Sequence, residues 1–189
     1  MKKIIVPFVL FFAVACSSGD EEKDSIEMAK EENSIKDSTA SASPAELTAD
    51  HNFVVEATSG GMMEVELGKY ASVNAASPAV KQFGKMMVED HSKADSILTV
   101  IAQVKGIAIP NVPGEEHQKH IDDLRTKKGA EFDKDYMSMM VDDHEEDVKK
   151  FEDAAKNAKD EDIRQFANNT LPALRKHLDA ARKIKKALK

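Results

Sequence analysis

The stretch FDKDYMSMMVDDHEEDVKKFEDAA, residues 132–155, reads as a single long helix with one face turned inward. Taking every third or fourth residue from Phe132 gives Tyr136, Met140, His144, Val148, Phe151 and Ala155, while most positions between them are charged. That spacing is the signature of an amphipathic helix. One member of the stripe is polar, His144. The hexapeptide that ends on it, MMVDDH at 139–144, has a near copy, MMVEDH at 86–91, in a chain with only six histidines. The copy lies on a stripe of its own: Val80, Phe83, Met87, His91, Ala94, Leu98 and Ile101.

From about Thr48 onward the same periodicity dominates, and no segment alternates between apolar and polar residues in the manner of a strand. A first helix covers roughly 48–74, with Phe53, Ala57, Gly60, Glu64, Leu67 and Ala71 on its stripe. Ser77 and Pro78 begin a second helix as cap and first turn. Gly106 ends it. The loop IAIPNVPG, 107–114, leads to a short crossover helix near 115–127, and a third helix runs over about 130–157. After KNAKDED, 156–162, a fourth runs from about 161 to the end, with Ile163, Ala167, Thr170, Leu174, His177, Ala181, Ile184 and Leu188 inward. Its basic last turn suits the helix dipole. Pro172 lies inside it and predicts a kink near Asn168, whose freed carbonyl Asn169 or Thr170 would cover. The expected architecture is therefore all-α: a four-helix bundle with a short crossover helix between helices 2 and 3, the connectivity of ferritin-like folds.

Four ionisable groups interrupt these stripes: Glu64, His91, His144 and His177. Glu64 lies 13 residues before the turn at Ser77 and His91 lies 14 after it. His144 lies 16 before the turn at Asp160 and His177 lies 17 after. With a rise of about 1.5 Å per residue the four depths differ by only about 3 Å, so one layer can contain them all. One carboxylate and three imidazoles in an apolar interior have two uses. They can hold a divalent or soft metal ion, with Zn, Fe, Ni and Cu suited to imidazole. They can equally satisfy one another through hydrogen bonds without any ion. Met87 and Met140, one turn from His91 and His144, extend the metal reading to Cu(I), although methionine is also an ordinary gap filler in cores.

Other polar residues fall into lesser roles. Asp90, Asp142 and Asp143 flank the histidines but point to solvent by helical phase. Asp95 and Asp147 are better placed as accessory carboxylates. His51, His117 and His120 lie at the start of helix 1 and in the crossover, where the HQKH spacing reads as a solvated face.

The N-terminus is of another kind. MKKIIVPFVLFFAVAC, residues 1–16, carries a basic start, an apolar run too short to span a bilayer, and a small residue before Cys16. These features predict a signal peptide over 1–15. The polar SSGD that follows makes the junction resemble the lipobox of bacterial lipoproteins, which implies that Cys16 is lipidated. Cys16 is the single cysteine of the chain, so no internal disulfide competes for it. Multiple acyl chains anchor firmly to a membrane. Residues 17–47 are acidic and rich in serine, and read as a disordered tether. The folded domain is expected over 48–189. Without the two lysines of residues 1–15, the 27 basic residues fall to 25 against 34 acidic ones, a formal charge of −9. Such a chain lacks the basic footprint of a nucleic-acid binder.

Four segments then carry a resemblance. GGMMEVELGKYA (60–71), VKQFGKMMVEDHSKA (80–94), the stretch at 132–155 and FANNTLPALRKHLDAA (166–181) together resemble domain-of-unknown-function family 4142, exported bacterial ferritin-like bundles often labelled outer membrane proteins. The resemblance spans about residues 48–184. It implies a ferritin-like fold and an envelope location, and no established activity. Di-iron members of the wider ferritin-like class carry Glu-x-x-His pairs. Here Val88, Val141 and Leu174 stand three before the histidines, so ferroxidase chemistry does not carry over. No P-loop, dinucleotide fingerprint, C-x-x-C-H or G-x-S-x-G motif is present. The sequence thus leads to a lipid-anchored envelope protein, on the outer membrane facing the periplasm or the cell surface. Its helical domain is a non-catalytic binding or structural module, or a periplasmic protein binding Cu, Zn or Fe on Glu64, His91, His144 and His177.

Overall fold

A computed structural model describes residues 23–38 and 44–188. Among these residues there are six helices: α1 (Ser25–Ser38), α2 (Pro44–Asn74), α3 (Pro78–Lys105), α4 (Glu115–Arg125), α5 (Gly129–Asn157) and α6 (Glu161–Ala187). The expected four-helix bundle with one crossover helix is therefore corrected, because the fold carries a further docked helix, α1, and a more elaborate packing. The signal peptide and Cys16 lie outside the described residues. No helix among those described is long and apolar enough to cross a membrane.

The long elements form two hairpins. α2 turns into α3 through Ser77, which adopts an extended conformation before Pro78 opens the helix. At the far end of α3, Gly106 takes a φ of 68°. Its N–H donates to the Gln103 carbonyl and that of Ile107 donates to the Ala102 carbonyl, closing the last turn in a Schellman motif. α6 starts on Asp160, whose carboxylate accepts from the Asp162 and Ile163 N–H groups. Lys105 reaches from the end of α3 to Asp160 and Asp162, at 2.6 and 2.8 Å. The two hairpins are pinned by reciprocal buried carboxylates. Asp133, near the start of α5, accepts from the Ala76 and Ser77 N–H groups in the α2–α3 turn. Asp50, near the start of α2, accepts from the Lys159 and Asp160 N–H groups in the α5–α6 turn. Each satisfies turn donors that would otherwise be orphaned, which fixes the height of one hairpin against the other.

Within the first hairpin α2 and α3 approach closely. A Cβ on Gly84 would stand 2.7 Å from the Gly68 carbonyl oxygen, and the reverse contact is equally short. Only glycine at both positions allows that approach. α2 packs against α3 and α5, and α6 against α3 and α5. α6 runs through Pro172 as a single helix. Of the side chains expected to cover a freed carbonyl there, Thr170 instead donates to the Phe166 carbonyl, while Asn168 donates to Arg164 and Ala155.

The interior has two apolar halves. One gathers Leu67, Phe83, Met87, Phe132, Tyr136 and Met140. Its centre is a stack of Phe132 on Tyr136, with centroids 5.3 Å apart. The other gathers Val54, Leu98, Phe151, Ile163, Phe166 and Leu174. In each of α2, α3, α5 and α6 the changeover between halves falls close to Glu64, His91, His144 or His177.

Within residues 17–47, where composition predicts a disordered tether, Ser25–Ser38 form the helix α1. α1 has no apolar stripe. Its buried face is Ser25, Ala29, Asn33 and Asp37, four residues apart. Polar contacts hold it instead. The Asn33 amide donates to the Ala108 carbonyl and accepts from the Ala108 N–H, at 2.9 and 2.7 Å. Ser25 donates to the Val112 carbonyl, Asp37 pairs with His51 at 2.9 Å, and Lys30 reaches Glu56 at 2.6 Å. α1 thus straps the 107–114 loop and the flank of α2 through hydrogen bonds that a hydropathy pattern does not register.

Candidate metal centre

Glu64, His91, His144 and His177 meet in one buried layer, each no more than 6% exposed. The three imidazole rings form a nearly equilateral triangle with centroids 5.3, 5.5 and 5.7 Å apart. Carboxylates hold two of the rings from behind. Glu64 Oε2 lies 2.6 Å from His91 Nδ1, and Asp90 Oδ2 lies 2.9 Å from His177 Nε2. If each of those nitrogens carries the proton, the opposite nitrogen keeps its lone pair. Those opposite atoms, His91 Nε2 and His177 Nδ1, are buried without a hydrogen-bond partner among the described residues. His144 is fully buried, and both of its ring nitrogens lack a partner. Its Nε2 lies 3.3 Å from Glu64 Oε1 and its Nδ1 3.9 Å from Asp143 Oδ2. These contacts fall short of good hydrogen bonds.

The residues fall into two overlapping groups able to coordinate a metal ion: His91, His144 and His177; and Glu64, Asp143 and His144. Within each, the atoms offered lie within 4.8 Å of one another. All four sequence-predicted residues are therefore together. Glu64, expected as a fourth ligand, stands behind His91 and faces His144 with its second oxygen.

Burial governs the charge states. It pushes Glu64 well above the usual carboxylate range, reinforced by the charges of Asp147 and Asp95. It raises Asp143 likewise, with Asp147 and Glu64 adding to the effect. Burial brings Asp95 and Asp147 to about 6. The imidazoles move the other way. Burial lowers His91, lowers His144 further with the help of its two imidazole neighbours, and takes His177 to about 4 despite the Asp90 hydrogen bond. At neutral pH the histidines are thus uncharged, with lone pairs available. Tyr136, fully buried beneath the layer, has a hydroxyl without a partner.

Two spaces adjoin the layer. A cavity of about 20 Å³ is lined by Gly61, Glu64, His91, Asp95, Asp147 and Leu174, among others. That is room for about one water. The Asp95 carboxylate lies over Gly61, 2.1 Å from where a Cβ would stand. On the other side a cleft of about 650 Å³ between α1, α2, α4 and α5 is lined by residues including Lys30, Glu56, His117, His120, Asp143 and Asp147. Asp147 belongs to both spaces.

Three residues at the layer escaped the sequence reading. Asp90 was expected in solvent and instead orients His177. Asp143 was expected in solvent and instead faces Glu64 and His144. Tyr136 was counted only as core. The signal for the first two was present: each copy of the repeated hexapeptide ends in Asp-His, and a residue one step from an inward position lies at the edge of the buried face. Asp95 and Asp147, read as accessory carboxylates, do adjoin the layer. His117 lines the cleft and bonds to the Ser59 hydroxyl at 2.6 Å, while His51 pairs with Asp37. Met87 and Met140 are fully buried in the aromatic half of the core.

The described residues thus make a helical domain whose interior is crossed by a layer of imidazoles and carboxyl groups. The chain belongs to the family described as a domain of unknown function, DUF4142, whose model matches residues 36–184. No curated protein and no solved structure matches it.

Proposed function

We propose that this protein binds a metal ion at the cell envelope, with His91, His144 and His177 as ligands. One observation carries the reading: three buried imidazoles turn partnerless nitrogens into one small space while carboxylates hold two of the rings from behind. Leaving a buried polar atom unpaired costs about 1–3 kcal/mol. A cation held by the three histidines would complete one such nitrogen on each ring. Glu64 and Asp90 supply the carboxylate–histidine support that orients metal-ligating rings and raises their basicity. Burial keeps the imidazoles neutral, so at pH 7 little free energy goes into removing protons from them.

Three imidazoles without a thiolate suit Zn²⁺, Cu²⁺ and Ni²⁺, with Cu²⁺ bound most tightly for a given site. Protons leave the buried carboxyl groups as the cation arrives, which couples binding to pH. Lipidation at Cys16 would hold the domain on the envelope. That location rests on the N-terminal sequence, and Cys16→Ser is expected to move the protein from the membrane fraction to the soluble one.

The test is metal analysis of the purified protein, followed by melting of the metal-free form with Zn²⁺, Cu²⁺, Ni²⁺, Fe²⁺ and Mn²⁺ added in turn. At a hundredfold excess over Kd a bound ion adds about 2.7 kcal/mol. Asp90→Ala is expected to weaken binding about 10–100-fold while leaving the helical content intact. Absence of any melting shift with all five ions would overturn the reading.

A further inference from the structure

The histidine layer is enclosed on all sides, so an ion bound there has to cross a wall of side chains. Three residues line both the cavity of about 20 Å³ against His91 and Glu64 and the open cleft of about 650 Å³: Ala57 of α2, and Asp147 and Phe151 of α5. These three form the partition between the two spaces. The geometry points to the cleft as the loading route of the metal, with the ion passing between Ala57 and Phe151 and handed inward by the Asp147 carboxylate. This rests on the metal-binding reading above and deepens it, by assigning the path and the residues that set its rate.

The sides of the layer are not equivalent. Towards the ends of the bundle it is closed by the two apolar halves, with Met87, Tyr136 and Met140 in one and Leu98, Phe166 and Leu174 in the other. A cation shedding its water finds little to bond there, and an unpartnered charge in such surroundings is costly. The partition towards the cleft is thinner. Ala57 presents only a methyl group, and the part-buried Asp147 presents two oxygens. The cleft beyond is acidic, with Glu27, Glu116, Asp143 and Glu146 among its lining residues. Its two lysines are already paired, Lys30 with Glu56 at 2.6 Å and Lys150 with Glu146 at 2.7 Å. A cleft lined mainly by one sign of charge concentrates counter-ions. His117 does not hold the ion back. Ser59 Oγ accepts from the Gly114 N–H at 2.8 Å, so its own proton goes to His117 Nδ1, 2.6 Å away. With Nδ1 accepting, the ring proton sits on Nε2, and neither nitrogen offers a free lone pair.

A route and a ligand leave different kinetic marks. A residue that only obstructs passage raises the barrier seen from both sides, so loading and release slow by the same factor and Kd is unchanged. A residue that holds the bound ion changes Kd, mostly through release. Ala57 separates the two cases cleanly, because its side chain carries neither charge nor lone pair.

The experiment mixes the metal-free full chain with Co²⁺ in a stopped-flow instrument and follows the visible absorption of the bound ion. Release is timed in excess EDTA, at concentrations where the rate no longer depends on the chelator. Ala57→Leu, which fills the partition, is expected to slow loading and release alike by about tenfold, with Kd unchanged. Ala57→Val is expected to slow both by a smaller factor, and Ala57→Ser to match the wild type. Asp147→Asn is expected to slow loading more than Asp95→Asn, since Asp95 lines the cavity from α3 and does not line the cleft. Circular dichroism melts establish that each variant is folded, and Ala57→Val carries the steric test if Ala57→Leu disturbs α2. Wild-type rates in the folded Ala57 variants would overturn the route while leaving the three-histidine reading standing. So would equal slowing by Asp147→Asn and Asp95→Asn, or a weaker Kd for Ala57→Leu at an unchanged loading rate. No Co²⁺ bound by the wild type would overturn the three-histidine reading, and the route with it.

Discussion

Replacing His144 by methionine separates a layer built for metal from one that satisfies itself. The two side chains are similar in volume, and a volume-conserving apolar swap in a core costs under about 1.5 kcal/mol. Against that stands the removal of two fully buried ring nitrogens that have no partner. Each unsatisfied group costs about 1–3 kcal/mol, so His144→Met in chelator is expected to be more stable than the wild type by about 1–2 kcal/mol. For a domain of this size that is a rise of roughly 2–8 °C in Tm. Adding Zn²⁺ should reverse the order. The wild type gains about 2.7 kcal/mol at a hundredfold excess over Kd, and the variant, deprived of the ligand common to both groups, gains little. The assay is a pair of thermal melts followed by circular dichroism, in EDTA and in Zn²⁺. If His144→Met loses more than about 1 kcal/mol in EDTA, then His144 is a satisfied member of a hydrogen-bonded layer. A wild type that melts at one temperature in both buffers would refute the metal half of the reasoning.

Three further outcomes are expected. Asp95, raised to about 6 by burial, is favoured in its protonated form by the fold, so its contribution is intact below the unfolded pKa near 4 and is lost as pH rises through 6. Metal-free Asp95→Asn should therefore be more stable than wild type at pH 7.5 and no more stable near pH 4, and a difference independent of pH in urea denaturation would count against this. Gly84→Ala places a Cβ against the Gly68 carbonyl oxygen and should cost about 1–3 kcal/mol by forcing α2 and α3 apart; an unchanged Tm would show that the hairpin yields easily. Asn33→Ala removes both hydrogen bonds to Ala108 and should raise amide exchange across 25–38 while α2 to α6 keep their protection; uniform exchange throughout would mean that α1 unfolds only with the rest.

Much of this molecule is legible along the chain. The boundaries of α3 and the start of α6 follow from Ser77–Pro78, Gly106 and Asp160, because caps and stops act through neighbours in sequence. The depth of Glu64, His91, His144 and His177 follows from helical rise alone, since each can be counted from its nearest turn. The further helix of the described residues, α1, is not legible in this way. α1 docks through Ser25, Asn33 and Asp37, and its partners in the 107–114 loop are more than seventy residues away. A hydrogen bond across that separation leaves no periodic trace.

Helical periodicity and the count of residues from each turn are enough to place the chain in helices and four ionisable side chains at one level. Both are consequences of local geometry, repeated turn by turn. The distribution of the carboxyl groups, Asp90 to His177, Glu64 to His91 and Asp143 beside His144, comes from the packing of the helices. Those pairings depend on how each helix is rotated about its axis against its neighbours. Packing across the whole interior sets that rotation, down to contacts as close as Gly68 against Gly84, and no single helix carries it in its own pattern.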